Sequence, residues 1–132
     1  MREGAEPTWV LDASAVLAFV QDEPGGNAVE AVLGRSLIST VNWAEVAQKS
    51  LVRGVEIVGL RQDLQASGLR LAPFTMDQAD IAAQLWSQTR QLGLSLGDRA
   101  CLALGLSSNL PVLTADRAWQ QLSLPIEVRI MR

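Results

Sequence analysis

TWVLDASAVLAF, residues 8–19, decides the fold class of this chain. Its first half is a short apolar run that predicts a buried strand ending at Asp12, and its second half predicts an apolar helix that continues through Phe19. Further short apolar strands are predicted at SLIST, residues 36–40, and at PVLT, residues 111–114, each followed by a helix. Strands that alternate with helices in this way predict an α/β fold with a largely parallel sheet covered on both faces.

The remaining segments continue the alternation. A long amphipathic helix is predicted from about Asn42, and a short helix from Asp116 to Leu122. LRLAP predicts a strand that ends at Pro73, and the alternating, β-branched IEVRI near the end of the sequence predicts an edge strand. Further helices are predicted over residues 27–34, 56–67, 76–92 and 97–108. By its length, the chain is expected to form a single domain over residues 1–132.

The charge balance limits the partners of this chain. Its net charge is −3 and its pI is about 4.8, which argues against broad, non-specific nucleic-acid binding through a basic surface. An enzyme that holds RNA through metals and a few arginines remains compatible with this charge. Lys49 is the only lysine. The preference for arginine suits phosphate binding, but it is equally well explained by a GC-rich genome.

The cysteine count and the lengths of the hydrophobic runs indicate the cellular location of the protein. Cys101 is the only cysteine, so an intramolecular disulfide is impossible, and a cytoplasmic location is expected. No apolar run approaches the roughly 20 residues that span a bilayer, so no membrane association is expected. The first residues, MREGAEPTW, lack an apolar segment and are not expected to form a secretory signal.

Acidic residues stand where predicted strands end and predicted helices begin: Asp12, Glu45, Asp98 and Asp116. The carboxyl ends of parallel strands open on one edge of a sheet, where ligands bind. Carboxylates gathered there would repel one another unless a cation lay between them, and a hard divalent cation with oxygen ligands fits best. The chain has no histidine, which excludes the usual zinc site and favours Mg²⁺ or Mn²⁺. This pattern predicts metal-dependent phosphodiester chemistry.

Each acid also has an ordinary explanation as a helix cap. Asp12 and Asp116 could cap the helices that follow them, and the pairs Asn42–Glu45 and Ser95–Asp98 have the spacing of a capping box or close to it. Small polar residues near the acids could hold metal-bound waters or the carboxylates, or could serve in local turns: Ser14, Asn42 and Thr114. The recurrence of the acids along one predicted edge favours a site.

Other patterns are better explained by structure than by chemistry. Residues 93–97, GLSLG, match the nucleophile-elbow pattern, but that motif needs a histidine, so Ser95 is interpreted as a turn or cap. Cys101 lies within an apolar helix and is expected in the core. The tryptophans are expected in the core or at an interface: Trp9, Trp43, Trp86 and Trp119.

The segments VLDASAVLAFVQDEPG, VNWAEV, LGDRACLALG and VLTADRAW together resemble the PIN-domain ribonucleases, and more narrowly the VapC-type toxins of bacterial toxin–antitoxin pairs. The resemblance runs from about Thr8 to Val128. It implies an α/β/α sandwich and a Mg²⁺- or Mn²⁺-dependent endoribonuclease that cleaves RNA. It also implies a homodimer that is silenced by a cognate antitoxin whose peptide tail covers the cleft.

The resemblance also assigns residues. It implies that the acidic site consists of Asp12, Glu45, Asp98 and Asp116, that Ser14 and Thr114 are the small polar positions beside it, and that Asn42 is the residue ahead of the glutamate. Trp43 is bulkier than expected beside Glu45, and could shape antitoxin or RNA binding or fill the core.

Two other functions remain open. One is a catalytically silent PIN-like module that binds a partner through an apolar surface, although such a module has little reason to keep mutually repelling carboxylates. The other is a phosphohydrolase or receiver domain with Asp12 as phosphoacceptor. That chemistry usually needs a nearby lysine, and Lys49, one helical turn beyond Glu45, is expected to point away from the site or to skirt it.

Overall fold

A computed structural model of the chain describes residues 6–132. Residues 1–5 lie outside this range. They belong to the segment MREGAEPTW, for which no secretory signal is expected, so that prediction falls partly outside the described residues. The described residues form a five-stranded sheet whose strand order is β3-β2-β1-β4-β5. The strands are β1 (Trp9–Leu11), β2 (Ser36–Ser39), β3 (Arg70–Ala72), β4 (Val112–Thr114) and β5 (Val128–Ile130).

All the strand pairings of this sheet are parallel. In the centre, Val10 of β1 lies opposite Leu37 of β2 on one side and opposite Val112 of β4 on the other. The predicted parallel α/β sheet is therefore confirmed, and IEVRI supplies an edge strand as expected.

Helices connect the successive strands. They are α1 (Ala13–Val20), α2 (Gly26–Val32), α3 (Thr40–Val52), α4 (Ile57–Ala66), α5 (Met76–Gln84), α6 (Trp86–Thr89) and α7 (Leu96–Ser108). Short 3-10 helices lie at Leu33–Arg35, Arg90–Leu92 and Arg117–Gln121. Among the helices of residues 6–132, none combines the length and the apolar character that a membrane-crossing helix requires.

The sheet separates two hydrophobic cores. Successive side chains of a strand point to opposite faces, so Leu11 packs with α1, α2, α3 and α4, whereas Val10 packs with α7 and with Trp119. The helix α7 is buried along most of its length, as its apolar sequence predicts. Helices on both faces of one parallel sheet make the α/β/α sandwich that the sequence predicted.

The prediction of one continuous helix over residues 76–92 is wrong. It is interrupted at Leu85 into α5, α6 and a 3-10 segment. The hydroxyl of Thr89 donates to the carbonyl of Leu85 at 2.9 Å, a bond that bends helices. The guanidinium of Arg99 on α7 donates to the carbonyl of Ala82 at 2.8 Å and so satisfies a group near the end of α5.

Two further predictions differ in detail from the structure. The helix predicted from about Asn42 begins at Thr40, because Ser39 is its N-cap and accepts from the backbone N–H of Val41 at 3.2 Å. The short helix predicted at residues 116–122 is a 3-10 helix. The expectation of a single domain over residues 1–132 stays a prediction.

Candidate functional site

The strand order places the crevice of the sheet between β1 and β4. The chain moves outward from β1 to β2 and β3 on one side, and β4 and β5 extend the sheet on the other. In open α/β sheets, ligands bind beyond the carboxyl ends of the strands at the point where the order reverses. Asp12 follows β1 and Thr114 ends β4, so both lie at this point.

Asp12 is held by a dense set of hydrogen bonds. Its side chain is only 4% exposed. Its Oδ1 accepts from the backbone N–H of Ala15 at 2.8 Å, which makes it the N-cap of α1. The hydroxyl of Ser14 donates to Oδ1 and Oδ2 at 2.7 and 2.9 Å, and the hydroxyl of Thr114 donates to Oδ2 at 2.6 Å.

Burial raises the pKa of Asp12 from 3.8 to about 6. The hydrogen bonds from Thr114, Ala15 and Ser14 act in the opposite direction, and the negative charge of Asp98 adds a smaller upward effect. A carboxylate that is buried beside another carboxylate is poorly compensated, so a cation bound there would stabilise its ionised form.

Ser14 and Thr114 also join β1 to the loop after β4. The Ser14 hydroxyl accepts from the backbone N–H of Ala115 at 3.0 Å, and the Thr114 hydroxyl accepts from the backbone N–H of Asp116 at 3.0 Å. The two small polar residues therefore hold Asp12 and fix the start of the loop that carries Asp116.

Glu45 lies against the first turn of α7. The side-chain amide of Asn42 donates to Glu45 Oε1 at 2.9 Å and to the carbonyl of Gly97 at 3.0 Å. A Cβ at position 97 would lie 2.5 Å from Glu45 Oε2, so any other residue there would displace the Glu45 carboxylate. Asn42 orients Glu45 rather than capping α3, and the capping-box interpretation of the pair Asn42–Glu45 is wrong.

The capping roles of the other acids are confirmed. Asp98 forms a capping box with Ser95: its Oδ2 accepts from the Ser95 backbone N–H at 2.9 Å, and Ser95 Oγ accepts from the Asp98 backbone N–H at 3.1 Å. Asp116 caps the 3-10 helix by accepting from the backbone N–H of Ala118 at 3.0 Å. The Asp116 side chain is exposed.

The electrostatic surroundings of Cys101 indicate which of the acids lie near one another. Its thiol is fully buried, and burial raises its pKa well above the usual value, with further contributions from the charges of Asp12, Asp98 and Glu45. These acids thus lie within electrostatic reach of one buried sulfur. The Asp116 carboxylate is not brought into this group: only its backbone N–H donates to the hydroxyl of Thr114, while its side chain caps the 3-10 helix.

The donor set suits a hard cation. It consists of carboxylate, hydroxyl and amide oxygens, and the buried Oδ1 of Asn42 has no hydrogen-bond partner within residues 6–132. In the same range, no three side chains of Asp, Glu, His or Cys lie close enough together to hold one ion. A cation here would therefore be held by one or two carboxylates with water completing its shell, as is usual for Mg²⁺.

A cleft of about 230 Å³ opens beside Ser14. Its other lining residues are Leu17, Gln21, Glu23, Lys49 and Arg132. Lys49 therefore lies along the edge of the site. No pattern in the sequence indicated Arg132 as part of this cleft. The role of Gly97 was also missed, although its position directly before Asp98 in LGDR could have suggested a close approach.

The remaining sequence predictions concern core residues. Cys101 is buried, as expected. Trp43 and Trp119 are buried, so Trp43 fills the core. Trp9 is partly buried under the guanidinium of Arg129, and Trp86 is 52% exposed beneath that of Arg90.

Comparison with known proteins places the fold among toxin structures. A toxin–antitoxin complex from Klebsiella pneumoniae has a TM-score of 0.70 and 18% identity, over 91% of this chain and 99% of that chain. A DNA-bound VapBC complex from Salmonella typhimurium has a TM-score of 0.69 and 16% identity, over 96% and 99%. VapC20 of Mycobacterium tuberculosis, a toxin that cleaves the sarcin–ricin loop, has a TM-score of 0.70 and 11% identity, over 91% and 99%.

Sequence comparison gives the family. None of the curated proteins is significantly similar in sequence to this chain. Residues 9–124 match the PIN domain, and this span covers most of the chain. The predicted resemblance is therefore confirmed, and the chain belongs to the PIN domain family.

Proposed function

We propose that this chain is a metal-dependent endoribonuclease that cleaves RNA phosphodiester bonds as the toxin of a toxin–antitoxin pair. The observation that carries the proposal is Asp12, buried at the crevice of the sheet with a raised pKa and with Asp98 as a charged neighbour. PIN domains are nucleases in general and generally use divalent metals. The fold shared with VapC20 supports RNA as the substrate.

The acids proposed for the metal site are Asp12, Glu45, Asp98 and Asp116, of which one or two would bind the ion directly while the others act through its bound waters. Their oxygen ligands favour Mg²⁺ or Mn²⁺. When bound, such an ion supplies a Lewis acid that activates water and stabilises negative charge on the phosphate.

The polar residues of the site prepare it for this chemistry. Ser14 and Thr114 fix both oxygens of Asp12, and Asn42 holds the Glu45 carboxylate over Gly97. Groups that are held in place before the substrate binds need little reorganisation in the reaction. The three residues are therefore proposed as positioning residues.

An antitoxin partner is part of the same proposal. The complexes from Klebsiella pneumoniae and Salmonella typhimurium, which share this fold, contain such partners. In this chain, the end of α3 and the start of α4 expose an apolar surface: Leu51, Val52, Val55 and Val58. Val52 is 84% exposed, and exposed apolar patches commonly mark protein interfaces. A homodimer and a cytoplasmic location complete the proposal, and light scattering of the purified chain tests the dimer.

Cleavage of RNA by the purified chain, freed of any partner, tests the nuclease. A mixed, end-labelled RNA pool is incubated with Mn²⁺, with Mg²⁺ or with EDTA. We expect discrete products that require a metal and that Asp12→Asn does not form. Asp80→Asn, which neutralises an exposed aspartate on α5, is the matched control and should cleave like the original chain. Products of equal yield from Asp12→Asn would point to a contaminating nuclease.

The silent binding module is the second candidate. It is favoured by the absence, within residues 6–132, of three acids close enough to share an ion, and by the capping roles of Asp12, Asp98 and Asp116. This candidate predicts that the folded chain neither cleaves RNA nor gains thermal stability from Mn²⁺. The cleavage assay, combined with thermal unfolding, separates the two functions.

A further inference from the structure

The cleft beside Ser14 begins at the proposed reaction site. Ser14 is one of its lining residues, and the Ser14 hydroxyl donates to both oxygens of Asp12. A strand of RNA that reached Asp12 could therefore continue into this cleft. The charge of the cleft decides whether a phosphate would be held there.

Lys49 provides one positive charge of the cleft. It lies one helical turn after Glu45 on α3, so the two side chains share a face of the helix. Its side chain is exposed and lines the cleft. A lysine ammonium in this position offers three hydrogen-bond donors on a flexible stem.

Arg132 provides the other positive charge. Its Nη1 donates to the carbonyl of Pro24 at 2.9 Å and lies 3.5 Å from Glu23 Oε1. A guanidinium has five N–H donors, so these contacts leave donors for a further acceptor. The ion pair with Glu23 is partly exposed and therefore weak.

The position of Arg132 is tied to the site through the backbone. The N–H of the preceding residue, Met131, donates to the carbonyl of Thr114 at 2.9 Å, and the hydroxyl of Thr114 donates to Asp12. Met131 also packs against Gly25, which has a φ of +91° and where an added Cβ would lie 2.7 Å from the Cε of Met131. Arg132 therefore directly follows a residue whose backbone is hydrogen-bonded to Thr114, the strand end that also holds Asp12.

Three of the other arginines within residues 6–132 make contacts away from the cleft. Arg99 donates to the carbonyl of Ala82, Arg129 pairs with Glu127, and Arg90 lies over Trp86. The positive charges that line the cleft are those of Lys49 and Arg132.

We propose that Lys49 and Arg132 form a subsite that binds a backbone phosphate of the RNA strand, next to the phosphate that reacts at Asp12. This inference rests on the proposed nuclease function. The subsite explains how a chain with a net charge of −3 can hold a polyanion close to a cluster of carboxylates. It also assigns a role to the only lysine of the sequence.

RNA binding in EDTA tests the subsite without cleavage or metal. Fluorescence anisotropy of a labelled, mixed-sequence single-stranded RNA is measured over a range of salt concentrations with Asp12→Asn, alone and combined with Lys49→Ala or Arg132→Ala. The slope of log K against log salt is negative, and each phosphate contact that is lost should reduce its magnitude by about 0.7. Lys49→Arg should keep the slope.

Arg53→Ala is the matched control, because Arg53 ends the same helix but does not line the cleft. It should leave the slope nearly unchanged. Equal slopes for Lys49→Ala and Arg53→Ala would overturn the subsite. Thermal unfolding of each variant establishes that its fold is intact. If Arg132→Ala is unstable, Arg132→Gln replaces it in the binding measurements.

Cleavage kinetics distinguish failure of the subsite from failure of the proposed function. If the chain cleaves RNA, Lys49→Ala should raise KM by about tenfold, which corresponds to a loss of about 1.4 kcal/mol of binding, with little change in kcat because a uniform binding contact is removed. Cleavage that is unaffected by Lys49→Ala would reject the subsite and leave the nuclease intact. Binding that depends on Lys49, in a chain that never cleaves RNA, would support the subsite and reject the nuclease.

Discussion

Asp12 combines deep burial with an ionisable group. Its pKa rises from 3.8 to about 6 because of that burial. A carboxyl group whose pKa is raised in the folded state destabilises the fold when it ionises. The destabilisation caused by ionised Asp12 is therefore absent below pH 3.8. It grows between pH 3.8 and about pH 6, and it is complete above about pH 6. At about 1.4 kcal/mol per pKa unit, it amounts to about 3 kcal/mol.

Replacement of Asp12 should therefore stabilise the metal-free chain in a pH-dependent way. We expect Asp12→Asn to raise the free energy of unfolding by up to about 3 kcal/mol at about pH 8 and to have little effect at about pH 4. Urea denaturation in EDTA at both pH values measures the difference. Asp80→Asn should show no such dependence, and an equal effect of Asp12→Asn at both pH values would contradict the assignment.

Gly97 offers a test of how Glu45 is held. A Cβ at this position would meet the Glu45 carboxylate at 2.5 Å. We expect Gly97→Ala to displace Glu45 and to lower the rate of RNA cleavage by about a hundredfold, as misplacement of a reacting group by about 1 Å can.

The control for Gly97→Ala is Gly59→Ala in the first turn of α4. There the added Cβ would approach only the exposed carboxylate of Glu56, at 3.1 Å. Cleavage should not change, and stability should rise slightly because alanine favours helix. Normal cleavage by Gly97→Ala would show that the position of Glu45 is not critical.

Residue identity and spacing were enough to predict much of the candidate site. Asp12, Ser14 and Thr114 were singled out from the sequence, and their side chains are joined by hydrogen bonds. The bond of Asn42 to the Glu45 carboxylate agrees with one of the roles considered for it, but its contact with the carbonyl of Gly97, 55 residues away, was not predicted. A contact between residues so far apart in the sequence depends on the fold, and no local sequence pattern indicates it.

Ser95 stabilises α7 at the element scale. Its reciprocal bonds with Asp98 form a complete capping box, and loss of such a cap costs about 1 kcal/mol. We expect Ser95→Ala to lower the free energy of unfolding by this amount and also to reduce cleavage, because Asp98 loses a fixed neighbour. Thermal unfolding and the RNA assay measure the two effects.

Ser108→Ala, at the exposed end of the same helix, is the control for Ser95→Ala and should be neutral in both assays. A variant of Ser95 that keeps full stability would show that the capping box contributes little to α7.

The interruption between α5 and α6 shows the limit of local patterns at the same scale. Residues 76–92 have a continuous apolar stripe, which predicts one helix. The bond from Arg99 to the carbonyl of Ala82 comes from a different helix. Tertiary contacts of this kind override helical propensity, and a stretch of sequence taken by itself does not contain them.

At the scale of the whole molecule, metal binding should stabilise the fold. A ligand that binds only the folded chain adds about 2.7 kcal/mol when its concentration is a hundred times Kd. We expect Mn²⁺ to raise the melting temperature of the chain. Asp98→Asn should raise the metal-free melting temperature and abolish this response, because the mutual repulsion of the acids and a metal ligand are both removed.

Asp80→Asn should melt like the original chain both with and without Mn²⁺. A lower metal-free melting temperature for Asp98→Asn, with a preserved response to Mn²⁺, would remove Asp98 from the proposed metal site.

The architecture was predicted more completely than the interactions within it. Alternation of short apolar strands with helices specifies a parallel sheet, since parallel strands need crossover connections. The order β3-β2-β1-β4-β5 does not follow from that alternation, because it depends on which strand edges meet. The cleft that Lys49 and Arg132 help to line depends on the strand order. This cleft was not predicted from the sequence.

The exposed turn at Gly93 has a practical consequence. Its φ is +73°, and no atom lies within 4 Å of an added Cβ, so the backbone there tolerates interruption. Residues 6–92 carry Asp12 and Glu45, while residues 94–132 carry Asp98 and Asp116. Two polypeptides divided at this turn would each hold half of the acids. Under the proposed function, we expect such halves to form a split nuclease that is inactive when each is produced singly and active only in a cell that makes both.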